Sequence, residues 1–309
     1  MTSGIPFYTA DVFTSEMFGG NQLAVFPSAD GLDARPMQAI ARELNLSETV
    51  FVFPPERSAN TRKLRIFTPG AELPFAGHPT IGTAFVLASI GEVALAGART
   101  RIVFEEGVGP VPVTIETRNG LPTYCELTSA RLPEFGPPPP PIEEIAAVLS
   151  LRPDQVRSDT CSPRPVSCGV PFFFVPLRDR SALEQARPDL AVWERSFSSW
   201  WAPHLYPFVE TGGSEGVDIR ARMFGPALGI PEDSATGSAA AALAGYLAAL
   251  RPSDSATLRW VVDQGVEMGR PSRLYVECDR DGERIEAVRV GGASVMVAEA
   301  RLTAPVPRR

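Results

Sequence analysis

Three side chains that can carry protons stand where predicted secondary-structure elements meet. Glu48 lies in NLSETVF, after a predicted helix and at the start of a predicted strand. His78, one of two histidines in the chain, lies in FAGHPT, and Asp233 lies in EDSATGSA. Carboxylates and an imidazole are groups that general acid–base catalysis uses. The same residues also have ordinary structural interpretations, as a turn glutamate, a turn histidine and a helix N-cap.

The segments that hold the histidine and the aspartate also have small residues at predicted helix starts. Gly77 and Pro79 flank the histidine, and proline is favoured at the first position of a helix. Gly237 and Ser238 follow the aspartate. Because backbone N–H groups at a helix start bind anions, we expect these turns to hold the carboxylate of a small substrate. Asn21, in FGGNQLAVF, could lie at the edge of the same site, although its spacing favours a hairpin turn.

Both turns follow a repeated motif. Residues 65–74 read RIFTPGAELP and residues 222–231 read RMFGPALGIP, and five positions match at a constant spacing of 157 residues. A repeat at about half of the 309-residue chain indicates duplicated domains whose turns meet across a shared cleft. We therefore predict a first domain over residues 1–130, completed by residues 295–309, and a second over residues 131–294. The active site is predicted in the cleft between them.

The elements that must position these residues are mostly strands. Runs rich in β-branched and aromatic residues predict strands at 5–13, 21–27, 48–54, 63–69, 101–105, 110–117 and 122–128, and again at 171–177, 206–211, 217–224, 257–263, 273–278 and 285–300. Helices are predicted at 34–44, at 80–91, from residue 142 onward and at 236–250. The last of these is apolar on every side, which is typical of an enclosed helix. The pattern predicts an α+β fold with two pseudo-symmetric domains, each a mixed β-barrel-like sheet around a central helix.

The composition of the chain argues against nucleic-acid and membrane partners. A formal net charge of −7 argues against nucleic-acid binding, which needs a basic surface. No apolar run approaches the roughly 18 residues of a membrane span, and the first residues lack the pattern of a signal peptide. We therefore expect a cytoplasmic protein with a small-molecule substrate and no membrane partner.

The sequence also gives no support for a cofactor. Lys63 is the only lysine, and it stands in a predicted strand, so pyridoxal-phosphate chemistry is disfavoured. The four cysteines form no C-x-x-C pair and, with two histidines, offer no typical zinc spacing. Neither a Walker loop nor a G-x-G-x-x-G motif occurs. We expect neither a cofactor nor a metal.

Five motifs in order resemble those of the PhzF-like family, the phenazine-biosynthesis isomerase group within the diaminopimelate epimerase-like fold. The resemblance spans nearly the whole chain and rests on F-x-G-N at Phe18–Asn21, N-x-S-E-T at Asn45–Thr49, F-A-G-H-P-T at Phe75–Thr80, E-D-x-A-T-G-S-A at Glu232–Ala239 and G-R-P-S at Gly269–Ser272.

The resemblance implies roles for several residues. Glu48 would be the catalytic acid and base, and His78, Asp233 and Ser238 would belong to the same site. It also implies a cofactor-independent isomerase that shifts a proton on a small unsaturated acid, and a homodimer. The related thiol epimerases carry a cysteine at each duplicated turn, but this chain has alanine at both places, so two-thiol racemisation is disfavoured.

Two positions differ from the usual pattern of that family. Ser234 and Gln22 stand where prolines are usual, which leaves the identity of the substrate open. An epimerase or racemase of an amino-acid-like substrate would use the same machinery and is the alternative within catalysis. A non-catalytic metabolite-binding protein is the alternative of a different class, and a metal hydrolase is weakly supported with two histidines.

Overall fold

The computed structural model describes residues 4–252 and 255–303 of the chain. These belong to two units, Met1–Ala130 with Gly291–Arg309 and Arg131–Val290. Residues 304–309, which the sequence prediction assigns to the end of the first domain, lie outside the described residues. Within the described part of the chain, no helix has both the length and the apolar character of a membrane span.

The first unit is built mainly from strands. Its helices are α1 (Ala34–Leu44) and α2 (Gly77–Ser89), and its strands are β1 (Ile5–Val12), β2 (Asn21–Phe26), β3 (Glu48–Phe53), β4 (Arg62–Phe67), β5 (Glu72–Leu73), β6 (Arg99–Glu106), β7 (Gly109–Arg118), β8 (Leu121–Thr128) and β19 (Ser294–Leu302). The sheet runs β19-β1-β2-β3-β4-β6-β7-β8, with β5 also paired to β4. The β2–β3 and β4–β6 pairs are parallel and the others are antiparallel.

Helix α2 is the core of the first unit. It contacts strands from both ends of the sheet, β19, β1, β2 and β3 at one end and β7 and β8 at the other. Twelve of its thirteen residues are buried, as the apolar run of the sequence requires. A Cβ atom on Gly82 would lie 2.5 Å from side-chain atoms of Val12 and Leu23, so glycine permits the close approach of the helix to β1 and β2.

The second unit repeats this scheme with more helices. Its helices are α3 (Ile142–Val148), α4 (Arg180–Gln185), α5 (Leu190–Ser196) and α6 (Gly237–Ala249), and its strands are β9 (Glu134–Phe135), β10 (Arg164–Ser167), β11 (Pro171–Pro176), β12 (His204–Glu210), β13 (Ile219–Ala221), β14 (Met223–Gly225), β15 (Ile230–Asp233), β16 (Ala256–Gln264), β17 (Ser272–Asp281) and β18 (Arg284–Gly292). The last two residues of β18 belong to the first unit.

The strand pairing of the two units follows one pattern. In the first unit, the pairs β1–β2, β2–β3, β3–β4, β4–β6 and β6–β7 alternate between antiparallel and parallel. In the second unit, the pairs β10–β11, β11–β12, β12–β13, β13–β16 and β16–β17 alternate in the same way. Helix α6 has thirteen residues, as α2 has, and contacts β10, β11, β16 and β17. The predicted arrangement of a mixed sheet around a central helix is therefore present in each unit.

Several elements of the second unit differ from the sequence prediction. Helices α4 and α5 were not predicted, because six or seven residues are too few to show a helical period. Their N-caps were available as signals, since Asp179 and Asp189 each accept hydrogen bonds from the first turn. The predicted strand 217–224 is divided at Arg222, which separates β13 from β14.

The repeated arginine of the two motifs has a structural role in both units. Arg65 makes a bidentate ion pair with Glu72, with N–O distances of 2.7 and 2.6 Å. Arg222 makes one with Glu232, with both distances 2.8 Å. Each guanidinium also lies over the aromatic ring two residues further along the chain. The motif therefore fixes the hairpin that precedes each central helix.

The two arginines differ in burial. Arg222 is 2% exposed, and its remaining donor also reaches the carbonyl oxygens at the end of α4, with distances of 2.8 to 3.3 Å. The side chain of Arg65 is 26% exposed and that of Glu72 is 41% exposed. The same motif thus holds a buried network in the second unit and a surface pair in the first.

A buried carboxyl group supports the start of α2. Thr80 Oγ1 lies 2.8 Å from the carbonyl oxygen of Ala76 and 2.6 Å from Glu106 Oε1. A hydroxyl has one proton, and the carbonyl can only accept, so a proton on Glu106 lets both contacts be full hydrogen bonds. Burial raises the pKa of Glu106 to about 8, against an opposing effect of the Thr80 hydroxyl. Both arguments favour a neutral Glu106 at pH 7.

The arginine network gives a first prediction. We expect Arg222→Met to lower the free energy of unfolding by about 3–5 kcal/mol, because it leaves Glu232 and buried carbonyl groups without their donor. We expect Arg65→Met, the matched change in the first unit, to lower it by about 1 kcal/mol or less, because an exposed pair contributes little. Urea unfolding of both variants measures the difference. Equal losses would show that burial does not decide the role of this motif.

The raised pKa of Glu106 gives a second prediction. Its folded-state pKa of about 8 lies above the ordinary value of 4.5, so stability falls as the pH rises from about 4.5 to 8. Glu106→Gln removes this titration and keeps a donor for Thr80. We expect its free energy of unfolding to match the wild type at pH 4.5 and to exceed it at pH 8.5, by about 1.4 kcal/mol for each unit of pKa shift that the substitution abolishes.

The neighbouring glutamate is the matched control for that measurement. Hydrogen bonds from the Glu56 N–H and the Asn60 amide lower the pKa of Glu105. Glu105→Gln should therefore destabilise the protein more at pH 8.5 than at pH 4.5, which is the opposite trend. If Glu106→Gln follows the trend of Glu105→Gln, the buried carboxyl is ionised in the folded protein.

Candidate active site

The chain turns sharply before Glu48, the first candidate proton carrier. Helix α1 ends at Leu44, and Asn45 has the left-handed conformation, with its N–H 3.1 Å from the carbonyl oxygen of Ala41. Two residues, Leu46 and Ser47, then lead into β3, whose first residue is Glu48. The parallel pairing of β3 with β2 sets Glu48 opposite Leu23. The residue is 7% exposed, so this carboxyl group is held at a buried strand end.

His78 connects Glu48 to Asn21. Its Nε2 lies 3.0 Å from Glu48 Oε2, in close contact but without the alignment of a hydrogen bond. On the other side of the ring, Nδ1 lies 3.2 Å from Asn21 Nδ2. If the amide nitrogen donates to Nδ1, the neutral ring carries its proton on Nε2, facing the carboxylate. The three predicted residues therefore meet in the first unit, and the arrangement suits proton transfer.

The backbone at the start of α2 lies beside this cluster. Gly77 is the first residue of the helix and His78 is the second. The N-cap residue is Ala76, whose side chain cannot accept a hydrogen bond from the first turn. The first N–H groups of the helix are thus not capped by the N-cap side chain, and such groups favour an anion.

Asp233 ends strand β15 in the second unit. It is 9% exposed, and its Oδ2 accepts a hydrogen bond from the Thr236 hydroxyl at 2.5 Å. Thr236 is the N-cap of α6, and its side chain makes no capping hydrogen bond to the helix. Gly237 and Ser238 are the first two residues of that helix, and Ser238 is half-buried. The predicted residues of the second unit therefore also lie together, at an N-terminus without a side-chain cap.

Two buried residues that sequence reasoning missed join the turn of Asp233. Gln264 Nε2 lies 2.8 Å from the carbonyl oxygen of Asp233 and 3.0 Å from Thr236 Oγ1. Its Oε1 accepts hydrogen bonds from the Tyr206 hydroxyl and from the Thr236 N–H. A lone glutamine and a lone tyrosine in strands carry no signal for such a role, because it depends on which strands become neighbours.

A third residue that sequence reasoning missed corresponds to Glu48. His204 is the first residue of β12, and it pairs with Phe172 of β11 as Glu48 pairs with Leu23 of β2. It is 5% exposed, and burial lowers its pKa to about 4. His204 is therefore a neutral imidazole at pH 7. The register of the two parallel pairs would have been needed to find this correspondence.

The described residues, 4–252 and 255–303, contain no group of three or more His, Cys, Asp or Glu side chains arranged to hold a metal ion. The four cysteines of the chain are buried and free.

Comparison with known proteins identifies the family. The family described as phenazine biosynthesis-like protein matches residues 10–300. The chain is 37% identical over 298 residues to the trans-2,3-dihydro-3-hydroxyanthranilate isomerase of Pseudomonas aeruginosa, covering 96% of this chain and 98% of that protein. It is 40% identical to an uncharacterized isomerase of Mesorhizobium japonicum, covering 94% and 96%.

Solved structures agree with these sequence matches. The Bacillus anthracis phenazine biosynthesis protein of the PhzF family superimposes with a TM-score of 0.86 at 25% identity, covering 98% of this chain and 100% of that one. The predicted fold class is confirmed, because PhzF and epimerase structures share it. The prediction of an isomerase is also confirmed, since the sequence relatives carry that name. The chain belongs to the phenazine biosynthesis-like family, also called PhzF.

Proposed function

We propose that the protein is a cofactor-independent isomerase that moves a proton between two carbon atoms of a small, unsaturated, carboxylate-bearing metabolite. One observation carries the proposal: Glu48 and His78, both more than nine-tenths buried, have facing polar atoms 3.0 Å apart. A structural ion pair would be an unusual use of two buried titratable groups. A catalytic role, in which the pair exchanges and orients one proton, explains why both titratable groups are buried next to each other.

The reaction is balanced with acid–base chemistry alone. The Glu48 carboxylate takes a proton from a carbon of the substrate, and the electron pair of that C–H bond moves into the conjugated acid. The Glu48 carboxyl group exchanges its proton with water, and the resulting dienolate then accepts a proton from it at another carbon, which regenerates the carboxylate. No oxidant or second substrate takes part.

His78 supports each step from the side of Glu48. Its Nε2 proton, which the Asn21 amide favours through Nδ1, can orient the carboxylate or share the transferred proton. The N–H groups at Gly77, Gly237 and Ser238 would bind the substrate carboxylate and stabilise the negative charge that develops on it. Asp233 belongs to the same reaction in this proposal, as a second carboxylate that handles or orients protons.

The substrate class follows from the relatives by analogy. The Pseudomonas aeruginosa relative is named for trans-2,3-dihydro-3-hydroxyanthranilate, a cyclic, unsaturated amino acid. We propose a substrate of that class for this chain. Ser234 replaces a proline that is usual in the motif, so the turn after Asp233 differs in stiffness, whereas Gln22, the other departure, is an exposed residue of β2.

The role of Glu48 is tested by deuterium incorporation. Wild-type protein is incubated in heavy water with trans-2,3-dihydro-3-hydroxyanthranilate and a panel of small unsaturated acids, and carbon-bound deuterium is followed by NMR. We expect Glu48→Gln to slow incorporation by about 10²–10⁴-fold, because the amide cannot accept the proton. Glu56→Gln is the matched control, since its side chain is 71% exposed and pairs with Lys63 on the surface.

The outcomes separate the alternatives. Deuterium at a new position of a constitutional isomer supports the proposal, whereas exchange with inversion at one carbon supports an epimerase. Binding of an acid by the wild type without any exchange would indicate a metabolite-binding protein. Equal rates for Glu48→Gln and the wild type would refute the assignment of the base.

The role of Asn21 is tested by removing its amide. Asn21→Leu keeps the shape of the side chain but takes away the group beside His78 Nδ1. We expect kcat to fall roughly 10- to 100-fold, because the ring is no longer held in one tautomer and orientation. Asn60→Leu, which removes an amide bonded to Glu105 on the surface, should leave kcat unchanged. If both variants behave alike, the amide of Asn21 does not act on the imidazole.

A further inference from the structure

The geometry points to Gln264 as a positioning residue for the turn from Asp233 to Thr236. Gln264 directs the Thr236 hydroxyl towards the Asp233 carboxylate. The catalytic part of this inference rests on the proposed function, since it assumes that Asp233 takes part in the reaction.

Every hydrogen-bonding group of the Gln264 amide is used. The residue ends β16 and is completely buried. Its nitrogen donates to the Asp233 carbonyl oxygen and to Thr236 Oγ1, and its oxygen accepts from the Thr236 N–H at 3.3 Å and the Tyr206 hydroxyl at 3.0 Å. An amide has two donors and two acceptor sites, so it is saturated by these four contacts.

The backbone partners fix which way the amide points. The Asp233 carbonyl can only accept, so it must face the nitrogen of Gln264, and the Thr236 N–H can only donate, so it must face the oxygen. Thr236 Oγ1 therefore accepts a hydrogen bond from the Gln264 amide, and the hydroxyl donates its own hydrogen to Asp233 Oδ2. Donors run in one direction, from Tyr206 through Gln264 and Thr236 to the carboxylate.

This use of the Thr236 hydroxyl has a consequence for the helix. A threonine at an N-cap ordinarily accepts a hydrogen bond from the first turn. Here the hydroxyl is occupied by Gln264 and Asp233 and makes no such bond. The first N–H groups of α6 thus stay uncapped by this side chain, as an anion-binding helix start requires.

The first unit has a counterpart at the same register. Lys63 of β4 pairs with Glu105 of β6, and Arg220 of β13 pairs with Asp263 of β16. The spacing is 157 residues from Lys63 to Arg220 and 158 residues from Glu105 to Asp263. Glu106 follows Glu105, and Gln264 follows Asp263. Both of these residues are buried, and each forms a hydrogen bond with a threonine at the start of its central helix. A strand-end polar residue therefore braces the helix start in both units.

The glycine that follows each of these residues lies close to the braced turn. A Cβ atom on Gly107 would be 2.8 Å from the Cα atom of Pro74, and one on Gly265 would be 2.5 Å from the carbonyl oxygen of Ser234. Glycine is needed for this approach, which lets the preceding side chain reach the turn. The recurrence in both units indicates a built support for the turn.

The test uses the full-length protein and two independent readouts. In Gln264→Met, we expect kcat for deuterium incorporation to fall at least about 10-fold while KM changes less than about threefold, because only the placement of the Asp233 carboxylate is altered. We expect Thr236→Val to give the same loss and Thr236→Ser to recover most of it. The double variant Gln264→Met/Thr236→Val should lose no more than either single variant, since both break one path.

Hydrogen–deuterium exchange of the substrate-free protein supplies the second readout. The Thr236 N–H donates to Gln264, so its amide should exchange at least about 10-fold faster in Gln264→Met, within a peptide covering residues 232–240. Gln38→Met is the matched control, because that glutamine also donates to two backbone carbonyls, those of Thr68 and Pro69. It should change neither kcat nor exchange in residues 232–240.

The two readouts distinguish the possible failures. A wild type that turns over none of the acids defeats the proposed function, and the exchange experiment alone then decides whether Gln264 positions the turn. Unchanged exchange in Gln264→Met overturns the positioning role. Faster exchange with kcat within twofold of an active wild type overturns the link to catalysis. If Thr236→Val reproduces the loss of activity and Thr236→Ser does not recover it, the path through the Thr236 hydroxyl is refuted.

Discussion

Burial of a thirteen-residue helix within the sheet of each unit is the constraint on which the other features depend. Helices α2 and α6 are apolar along almost their whole length, so the sheet has to curl around them to remove that surface from water. Their N-terminal N–H groups are then enclosed together with the helix, and they need partners or a ligand. The candidate sites lie at these two helix starts, where the fold leaves polar backbone inside an apolar shell.

The two units have different residues at corresponding positions around the central helix. The second position of the central helix is His78 in one unit and Ser238 in the other. The corresponding parallel pairs, β2–β3 and β11–β12, have Glu48 at the start of β3 and His204 at the start of β12. The brace at the strand end is a carboxyl group, Glu106, in the first unit and an amide in the second. The shared positions come from the common strand order, whereas the reaction has to come from the differences.

Three buried titratable groups follow one rule: they are neutral or they have several hydrogen-bonding partners. Glu106 and His204 are buried and neutral at pH 7, and the buried Arg222 is held by several partners. This follows from the free energy of burying a charge, which is large unless the charge is paired and hydrogen-bonded. Against that background, the closely spaced Glu48 and His78 stand out as groups that a merely structural role would not require.

The sequence alone was sufficient for the fold class and the isomerase class, and its list of site residues stays a prediction. The repeated R-x-F-x-P motif located the two helix starts, and the glycine-rich turns after it marked where chemistry was expected. These signals are local: an apolar helix, a strand rich in aromatic residues and a turn motif each extend over a few consecutive residues. The predictions of a shared cleft, a homodimer and a cytoplasmic location also came from the sequence, and they stay predictions.

Only the tertiary structure decided which distant residues meet. It joined Glu48, His78 and Asn21, which come from three different elements, and it gave Gln264 its place beside the turn of Asp233. It also showed that the repeated arginines bind glutamates at non-equivalent positions, because the strand before α6, β15, has four residues and the strand before α2, β5, has two. Such contacts depend on strand order and register, which are set by burial of the whole sheet, and no local run of residues contains that information.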